Sequence, residues 1–176
     1  MNIIYIFFEE FGKFGPFFLI ILSMYLLRNK NNLFFFYTVG LFIDAILNLV
    51  LKGIIQEPRP NVDPKTFNLA LTHGRRFLYK DGIPYDIFGM PSGHSQSALF
   101  STMFIYLALK NTRLSFIYLL SSLIIMAQRV EFKQHTILQC IIGGTIGAIF
   151  AYIMFYLSGQ KMKGIITEKL DDFGPI

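Results

Sequence analysis

The chain has 176 residues, of which 53% are hydrophobic and only 15% are charged, and its formal net charge is +5. With a mean hydropathy of +0.50 it is too apolar for an ordinary soluble domain, so the composition indicates an integral membrane protein. The basic residues are scattered between apolar segments and form no patch that could follow a nucleic-acid backbone, so no nucleic-acid partner is expected. A chain of this length leaves no room for a separate soluble domain, and we expect one domain covering residues 1–176.

Five apolar stretches follow one another along the chain, and each is a candidate membrane-spanning helix because a crossing needs roughly 20 helical residues. In chain order they cover residues 14–27, 33–51, 95–109, 114–127 and 137–157. The sequence therefore predicts an all-α fold, a polytopic transmembrane helix bundle with about five spans. The segment from Asn2 to Phe11 precedes the first span, and it is a candidate for an additional helix in the membrane interface.

The basic residues of the short connections predict the orientation of the bundle. If the spans alternate in direction, one face carries the basic residues that follow the first, third and fifth spans: Arg28, Lys30, Lys110, Arg113, Lys161 and Lys163. The positive-inside rule makes this face cytoplasmic. The opposite face then holds the N-terminus, the long loop at residues 53–90 and the short turn at residues 129–134. We therefore expect a multi-pass protein whose long loop faces the periplasm or an organelle lumen.

Three short motifs with basic residues or histidines lie at the ends of apolar segments, on the face that holds the long loop. They read Lys52-x6-Arg59-Pro60, Pro91-Ser92-Gly93-His94 and Arg129-x5-His135-x3-Gln139. A phosphate group carries dense negative charge, which lysine, arginine and backbone N–H groups bind best in a cleft of low dielectric constant. The three motifs together therefore predict a phosphate-handling site at one end of the bundle.

The two histidines of these motifs supply the groups that phosphate chemistry requires. One imidazole can attack phosphorus while the other protonates the leaving oxygen. Ser92 stands at a good N-cap position before an apolar helix, and Gly93 allows the backbone to approach the anion closely. Since the acidic residues on this face are dispersed, we expect neither a metal ion nor another cofactor.

With these residues the sequence resembles the type 2 phosphatidic acid phosphatase (PAP2) superfamily, whose three signature motifs occur in the same order between residues 52 and 139. By that resemblance, His135 is the nucleophile that forms a phosphohistidine, and His94 is the general acid. The residues that the resemblance assigns to the phosphate-binding cradle are Lys52, Arg59, Ser92, Gly93 and Arg129. The fold that it implies is a PAP2-like membrane helix bundle.

Two positions depart from the pattern of most of the superfamily. Gln128 stands where serine is usual, and Gln139 stands where an aspartate is usual four residues after the nucleophile. At i, i+4 on a helix, the Gln139 amide oxygen can accept the His135 N–H, but an amide cannot supply the charge of a carboxylate. This glutamine and the segment Ile55-Gln56-Glu57-Pro58-Arg59-Pro60 make the sequence resemble the dolichyl diphosphatase branch of the superfamily. That branch usually has serine where Gly93 stands.

The leading hypothesis is a membrane lipid phosphatase that hydrolyses a polyprenyl diphosphate to the monophosphate, because a lipid can keep its tail in the bilayer while its phosphate enters the cleft. Arg75 or Arg76 is a candidate for contact with the second phosphate, and contact with anionic headgroups or solvent is an equally weighted alternative. Three other functions stay open. They are a phosphatase acting on phosphatidate, phosphatidylglycerophosphate or a lipid A type phosphate, a lipid phosphotransferase, and a catalytically weak membrane scaffold. The oligomeric state also stays open.

Two further patterns concern packing within the bundle. Asp44, Asn48 and Lys52 recur at i, i+4 and i+8, so they form a polar stripe along the second span. We interpret the stripe first as structural pairing, and its functional alternative is that Asp44 orients a buried partner near the cleft. Gly143 and Gly147 predict a close helix contact of the last span, for which a place inside the bundle is favoured and a place between subunits stays open.

Overall fold

The structure is a computed structural model that describes residues 3–80 and 82–161. The helices in these residues are α1 (Ile3–Leu27), α2 (Asn31–Ile55), α3 (Pro64–Thr72), α4 (Gly93–Leu109), α5 (Thr112–Glu131) and α6 (Ile137–Lys161). Two short strands, β1 (Phe77–Lys80) and β2 (Ile83–Asp86), form an antiparallel hairpin between α3 and α4. The predicted all-α membrane bundle is confirmed. The hairpin and α3 are additions that the sequence did not predict within the long loop.

Four helices in the described part of the chain are long and apolar enough to cross a membrane, namely α1 from Tyr5, α2, α5, and α6 as far as Gln160. The third predicted span corresponds to α4, which has 17 residues and packs against α1, α2, α5 and α6. Because α4 contacts all four of these helices, it can contain polar residues that a lipid-facing helix avoids. Gln96 and Ser101 are fully buried on α4, and they hydrogen-bond to Asp44 and Tyr37 of α2.

The N-terminal segment that the sequence suggested as an interfacial helix is continuous with α1. The helix begins at Ile3 and continues through Pro16, which membrane bundles tolerate because neighbouring helices pack around the weakened turn. Gly12 and Gly15 face α5, and a methyl group at either position would overlap the side chain of Gln128 or Ile125. The middle of α1 is therefore packed against α5, whereas Ile3 and Phe7 near its start are 79% and 67% exposed.

The closest helix approach that bears on the site is between α4 and α6. Gly143 faces the backbone of Ser92, and Gly147 faces the backbone of Gln96, so a methyl group at either position would overlap backbone atoms. The predicted glycine contact is confirmed, and it lies inside the bundle. Because Ser92 directly precedes α4, this contact also fixes the start of α4 relative to α6.

The loop between α2 and α4 folds into a small cap with its own apolar core. Its helix α3 begins after Asp63, whose carboxylate accepts a hydrogen bond of 3.0 Å from the Thr66 backbone N–H. The core of the cap consists of Val62, Phe67, Ala70, Ile87 and Phe88. No periodic pattern in residues 57–89 is long enough to predict these short elements.

Two backbone hydrogen bonds bring the first and second motifs together. The Arg59 N–H donates to the Ile87 carbonyl at 3.1 Å, and the Gly89 N–H donates to the Glu57 carbonyl at 2.7 Å. Residues 57–59 therefore run antiparallel to residues 87–89, immediately before the second motif. This pairing places the cap directly over the helix ends that carry the histidines.

Candidate active site

The three sequence motifs lie at one end of the bundle. Lys52 lies in the last turn of α2, and Ser92 is the N-cap of α4. Arg129 lies in the last turn of α5, and His135 lies just before α6. Because consecutive spans alternate in direction, these helix ends meet at the same face. The structure thus gathers residues that are up to about 80 positions apart in the sequence.

His135 is buried, and two acceptors hold its ring. Its Nδ1 lies 2.9 Å from the Gly89 carbonyl oxygen and 3.2 Å from Gln139 Oε1. Both partner atoms can only accept a hydrogen bond, so Nδ1 must carry the proton. The other ring nitrogen, Nε2, then keeps a lone pair that can attack phosphorus.

The environment of His135 keeps its imidazole neutral. Burial and, after it, the positive charges of Arg59 and Lys52 lower the pKa of His135 to about 3. The charge of Arg129 acts in the same direction, whereas the hydrogen bond with Gln139 opposes the shift. At neutral pH the ring is therefore unprotonated at Nε2, which is the state that a nucleophile requires.

Gln139 is completely buried beside His135, and both the oxygen and the nitrogen of its amide have hydrogen-bond partners. Its Oε1 accepts from the His135 ring and from the Thr136 backbone N–H, both at 3.2 Å. Its Nε2 donates to Glu57 Oε1 at 2.7 Å and to the Pro58 carbonyl at 3.0 Å. A flipped amide would place Nε2 against a donor and Oε1 against two acceptors, so only one orientation satisfies these groups.

Lys52 is buried and is oriented by groups of the cap. Its Nζ donates to the Phe88 carbonyl at 2.7 Å and lies 3.4 Å from Asp86 Oδ2. Burial alone would raise the pKa of the Asp86 carboxyl, but hydrogen bonds from Arg76 and the charge of Lys52 hold that pKa below its usual value. Asp86 could not be predicted as a site residue, because a single acid in a short hairpin belongs to no motif.

Arg76, one of the two candidates for contact with a second phosphate, is held by acceptors of the protein. Its Nε and Nη2 donate to the two carboxylate oxygens of Asp86 at 3.1 and 3.0 Å, and its Nη1 donates to the Leu49 carbonyl at 2.9 Å. All three nitrogens are therefore engaged, and they tie the cap to α2. Arg75 is exposed beside it, so Arg75 is the freer of the two candidates for that contact.

Arg59 and Arg129 bring two further cations to the site. Arg59 donates from Nη1 to Gln134 Oε1 at 3.2 Å, a contact that the sequence did not predict. Arg129 is buried on the last turn of α5. Among residues 3–80 and 82–161, no acceptor lies within hydrogen-bonding distance of the buried Nε atom of either arginine. Buried guanidinium groups with unused donors are suited to bind an anion.

The second motif forms the start of α4, as the sequence predicted. Ser92 is the N-cap, with its Oγ accepting from the Ser95 N–H at 3.5 Å, and its own N–H donates to the Gln139 carbonyl at 3.1 Å. Gly93 packs close to α2, where a methyl group would come within 3.2 Å of Asn48 Oδ1. Backbone N–H groups in the first turn of a helix have no intrahelical partner, so this end of α4 can bind an anion.

The polar stripe on α2 supports the second motif from within the bundle. Gln96 Nε2 donates to Asp44 Oδ1 at 2.8 Å. Asn48 Nδ2 donates in turn to Gln96 Oε1 at 2.8 Å and to the Pro91 carbonyl at 3.2 Å. Asp44 therefore pairs with Gln96 inside the bundle and reaches the motif through Gln96 and Asn48, which favours the structural interpretation of the stripe.

His94 is half-buried on the first turn of α4 and contacts α1. Its Nε2 lies 3.2 Å from the Lys13 carbonyl oxygen, so this nitrogen carries a proton and Nδ1 is left for other proton transfers. The cations that act on this ring are the same ones that act on His135: Arg129, Arg59 and Lys52. Both imidazoles are therefore near enough to the same three cations to feel their charge.

Gln128 occupies the position where most of the superfamily has serine, and its side chain packs against α1. It is 2% exposed and lies against Gly12, where any side chain would overlap it. The glutamine thus contributes to the contact between α1 and α5, the helix that carries Arg129.

A cavity of about 550 Å³ lies beside the site, between α1, α2 and α4. It extends from Met24 and Thr38, near the opposite end of the bundle, to Gly93 in the second motif. Its walls are mainly apolar, and Phe42 and Leu49 at its edge are exposed on the outer surface of the bundle. The cavity therefore connects the lipid-facing surface with the start of α4.

These features define an integral membrane protein with a bundle of apolar helices, one end of which carries two histidines together with Lys52, Arg59 and Arg129. The chain belongs to the PAP2 superfamily, whose family model matches residues 33–163. The match includes all three motifs.

The chain is also similar to individual proteins, among them two named Dolichyldiphosphatase 1. The chain is 29% identical over 174 residues to Dolichyldiphosphatase 1 of Plecturocebus moloch, an alignment that covers 88% of this chain and 65% of the relative. It is 29% identical over 145 residues to Dolichyldiphosphatase 1 of Homo sapiens, with 73% of this chain and 54% of the relative covered. The chain thus spans between about half and two thirds of the length of these relatives. No solved structure matches the chain significantly.

Proposed function

We propose that the protein is a membrane lipid phosphatase that hydrolyses a polyprenyl diphosphate to the monophosphate. The observation that carries this proposal is the ring of His135, whose Nδ1–H is held by two acceptors while three cations surround the pocket. Membership of the PAP2 superfamily supports the phosphatase chemistry. The relatives named Dolichyldiphosphatase 1 favour an isoprenoid diphosphate as the substrate class.

The proposed reaction has two steps. In the first, His135 Nε2 attacks the terminal phosphorus, a P–N bond forms, and the bond between that phosphorus and the bridging oxygen breaks. His94 transfers a proton to the departing oxygen, and the lipid monophosphate leaves. In the second step, water attacks the phosphohistidine, His94 accepts its proton, and inorganic phosphate leaves as the P–N bond breaks.

Charge stabilisation in this proposal comes from the protein itself. Lys52, Arg59 and Arg129, with the backbone N–H groups that follow Ser92, stabilise the negative charge that the phosphoryl oxygens carry in both steps. Bound phosphate also offsets the repulsion of these cations and favours the protonated state of His94. We therefore propose a reaction that needs no metal ion.

The cavity between α1, α2 and α4 supports a lipid substrate. An apolar channel that ends at Gly93 can hold an isoprenoid chain while the diphosphate reaches the cationic pocket. The charged ends of the bundle support an extracytoplasmic site, which is periplasmic or lumenal. Arg28, Lys30, Lys110 and Arg113 lie in the connections at the opposite end from the motifs, where the positive-inside rule places the cytoplasm.

The proposed function is tested by phosphate release from purified protein in detergent with a chelator present. The substrates to compare are a polyprenyl diphosphate, a polyprenyl monophosphate and phosphatidate. We expect kcat/KM for the diphosphate to exceed the other two by about tenfold or more, because a diphosphate offers the better leaving group and more charge. A strict requirement for added magnesium, or turnover of none of the three lipids, would contradict the proposal.

A cavity variant extends the same experiment to the lipid tail. Ala45 lines the cavity and Ile46 is 59% exposed on the outer surface of the same helix. We expect Ala45→Trp to raise KM for polyprenyl diphosphate by about tenfold because it fills the space for the chain. Hydrolysis of a short, water-soluble diphosphate should be unchanged. Ile46→Trp is the matched control, and equal effects of both variants would argue against a tail in this cavity.

A further inference from the structure

We infer that Glu57 is a positioning residue that supplies negative charge to the His135 ring through the side chain of Gln139. The inference rests on the proposed function, because it concerns how His135 acts as a nucleophile. Neither the motif pattern nor the family match assigns a role to Glu57. The residue lies in the cap, two positions before Arg59.

A continuous chain of hydrogen bonds joins the carboxylate to the ring. Glu57 Oε1 accepts from Gln139 Nε2 at 2.7 Å, and Gln139 Oε1 accepts from His135 Nδ1 at 3.2 Å. Only one amide orientation is compatible with the Thr136 N–H and the Pro58 carbonyl, so the direction of the chain is fixed. The carboxylate therefore polarises the amide, which increases the negative charge on the oxygen that faces the imidazole.

The backbone of Glu57 is connected to the same ring nitrogen by a second route. The Glu57 carbonyl accepts from the Gly89 N–H at 2.7 Å, and the Gly89 carbonyl accepts from His135 Nδ1 at 2.9 Å. Gly89 also leaves space for the amide, since a Cβ there would lie 2.6 Å from both Nε2 and Oε1 of Gln139. Gly89, Glu57 and Gln139 therefore form one unit around the Nδ1 side of His135.

The charges of the pocket explain why such a carboxylate is useful. Phosphorylation of Nε2 while Nδ1 keeps its proton places positive charge on the ring, and the surrounding cations Lys52, Arg59 and Arg129 disfavour this. Asp86 is another acid near these cations, but its two oxygens are engaged by Arg76 and Lys52. Glu57 is the carboxylate that reaches His135 through hydrogen bonds, so it can offset the charge that an amide alone cannot.

The first test is Glu57→Gln, which keeps the size of the side chain and its acceptor oxygen but removes the charge. We expect kcat for polyprenyl diphosphate to fall roughly tenfold with KM nearly unchanged, because a charge that acts through an intervening group affects the transition state more weakly than a direct partner. A residue that only closes the cap would tolerate this change, so wild-type kcat in Glu57→Gln would overturn the inference.

The second test exchanges the carboxylate and the amide. Gln139→Glu alone places two carboxylates at a contact that is 2.7 Å in the wild type, and we expect it to lower kcat as well. Combining it with Glu57→Gln restores one carboxylate and one amide in the reverse order, with the negative charge now beside the ring. The double variant should turn over faster than either single variant. If the kcat of the double variant did not exceed the kcat of each single variant, the inference would also be overturned.

Two controls separate this inference from the proposed function. Glu131→Gln makes the same charge change at an exposed position on the last turn of α5, and its kcat should match the wild type. If the wild type releases phosphate and His135→Ala does not, the proposed function stands, and wild-type kcat in Glu57→Gln then contradicts the inference alone. If the wild type hydrolyses no lipid phosphate, the proposed function itself fails. Thermal unfolding of each variant confirms that the compared proteins are folded.

Discussion

Replacing His135 with alanine is expected to lower kcat/KM for lipid phosphate release by at least about a thousandfold, because the variant lacks the atom that would bond to phosphorus. The fold should survive the change, since Gln139 Oε1 keeps its bond to the Thr136 N–H and Gly89 keeps its bond to Glu57. The measurement is phosphate release by purified wild type and variant in detergent, with thermal unfolding of both proteins.

The matched control for this variant is His73→Ala. His73 is exposed at the end of α3, where its ring bonds to the Leu69 carbonyl at 2.8 Å, and it lies outside all three motifs. We expect its kcat/KM to equal that of the wild type. Comparable activity of His135→Ala and wild type would show that another group attacks phosphorus.

Adding one methyl group at Gly147 is expected to disable the protein through its packing. In Gly147→Ala the new Cβ would overlap the backbone of Gln96, so α6 must move away from α4. We expect the free energy of unfolding to fall by about 2 to 3 kcal/mol, since overpacking of this kind forces backbone shifts. Turnover should fall as well, because the same helix contact holds Ser92 beside Gln139. Unfolding and phosphate release of the purified variant measure both effects.

Gly159 provides the control on the same helix. A Cβ at Gly159 would meet no atom of residues 3–80 and 82–161 within 4 Å, and alanine has the higher helix propensity, so Gly159→Ala should be as stable as the wild type or slightly more stable. If Gly147→Ala were equally stable and active, the close approach of α4 and α6 would not be what positions the second motif.

The bundle could be predicted from the sequence because long apolar segments have few ways to satisfy their backbone in a membrane. The ends of the helices were harder to predict. The apolar stretch at residues 33–51 ends where Lys52 begins, but α2 continues to Ile55 because Lys52 points to acceptors in the cap rather than to solvent. The role of α4 as an inner helix was also hidden, since its hydrogen bonds to α2 depend on contacts between distant residues.

The motifs predicted which residues gather at one end of the bundle, because the charges and histidines occur at recognisable spacings. They could not predict the residues that orient those groups. Asp86 reaches the site from the end of β2, and Glu57 and Gln134 reach it from loops. Each contacts a partner distant in sequence: Asp86 is 34 residues from Lys52, Glu57 is 82 from Gln139, and Gln134 is 75 from Arg59. Acids and amides in loops are usually solvated, so no local pattern distinguishes these three.

The covalent intermediate is the central claim of the proposed mechanism, and trapping it is the most direct test. Wild-type protein is incubated with polyprenyl diphosphate that carries radioactive phosphorus at its terminal position, and the reaction is quenched with alkali, in which a P–N bond persists. We predict label on the protein that is lost in acid, that maps to the peptide containing His135, and that is absent from His135→Ala. Rapid turnover with no label at any quench time, or label on a different residue, would contradict the account.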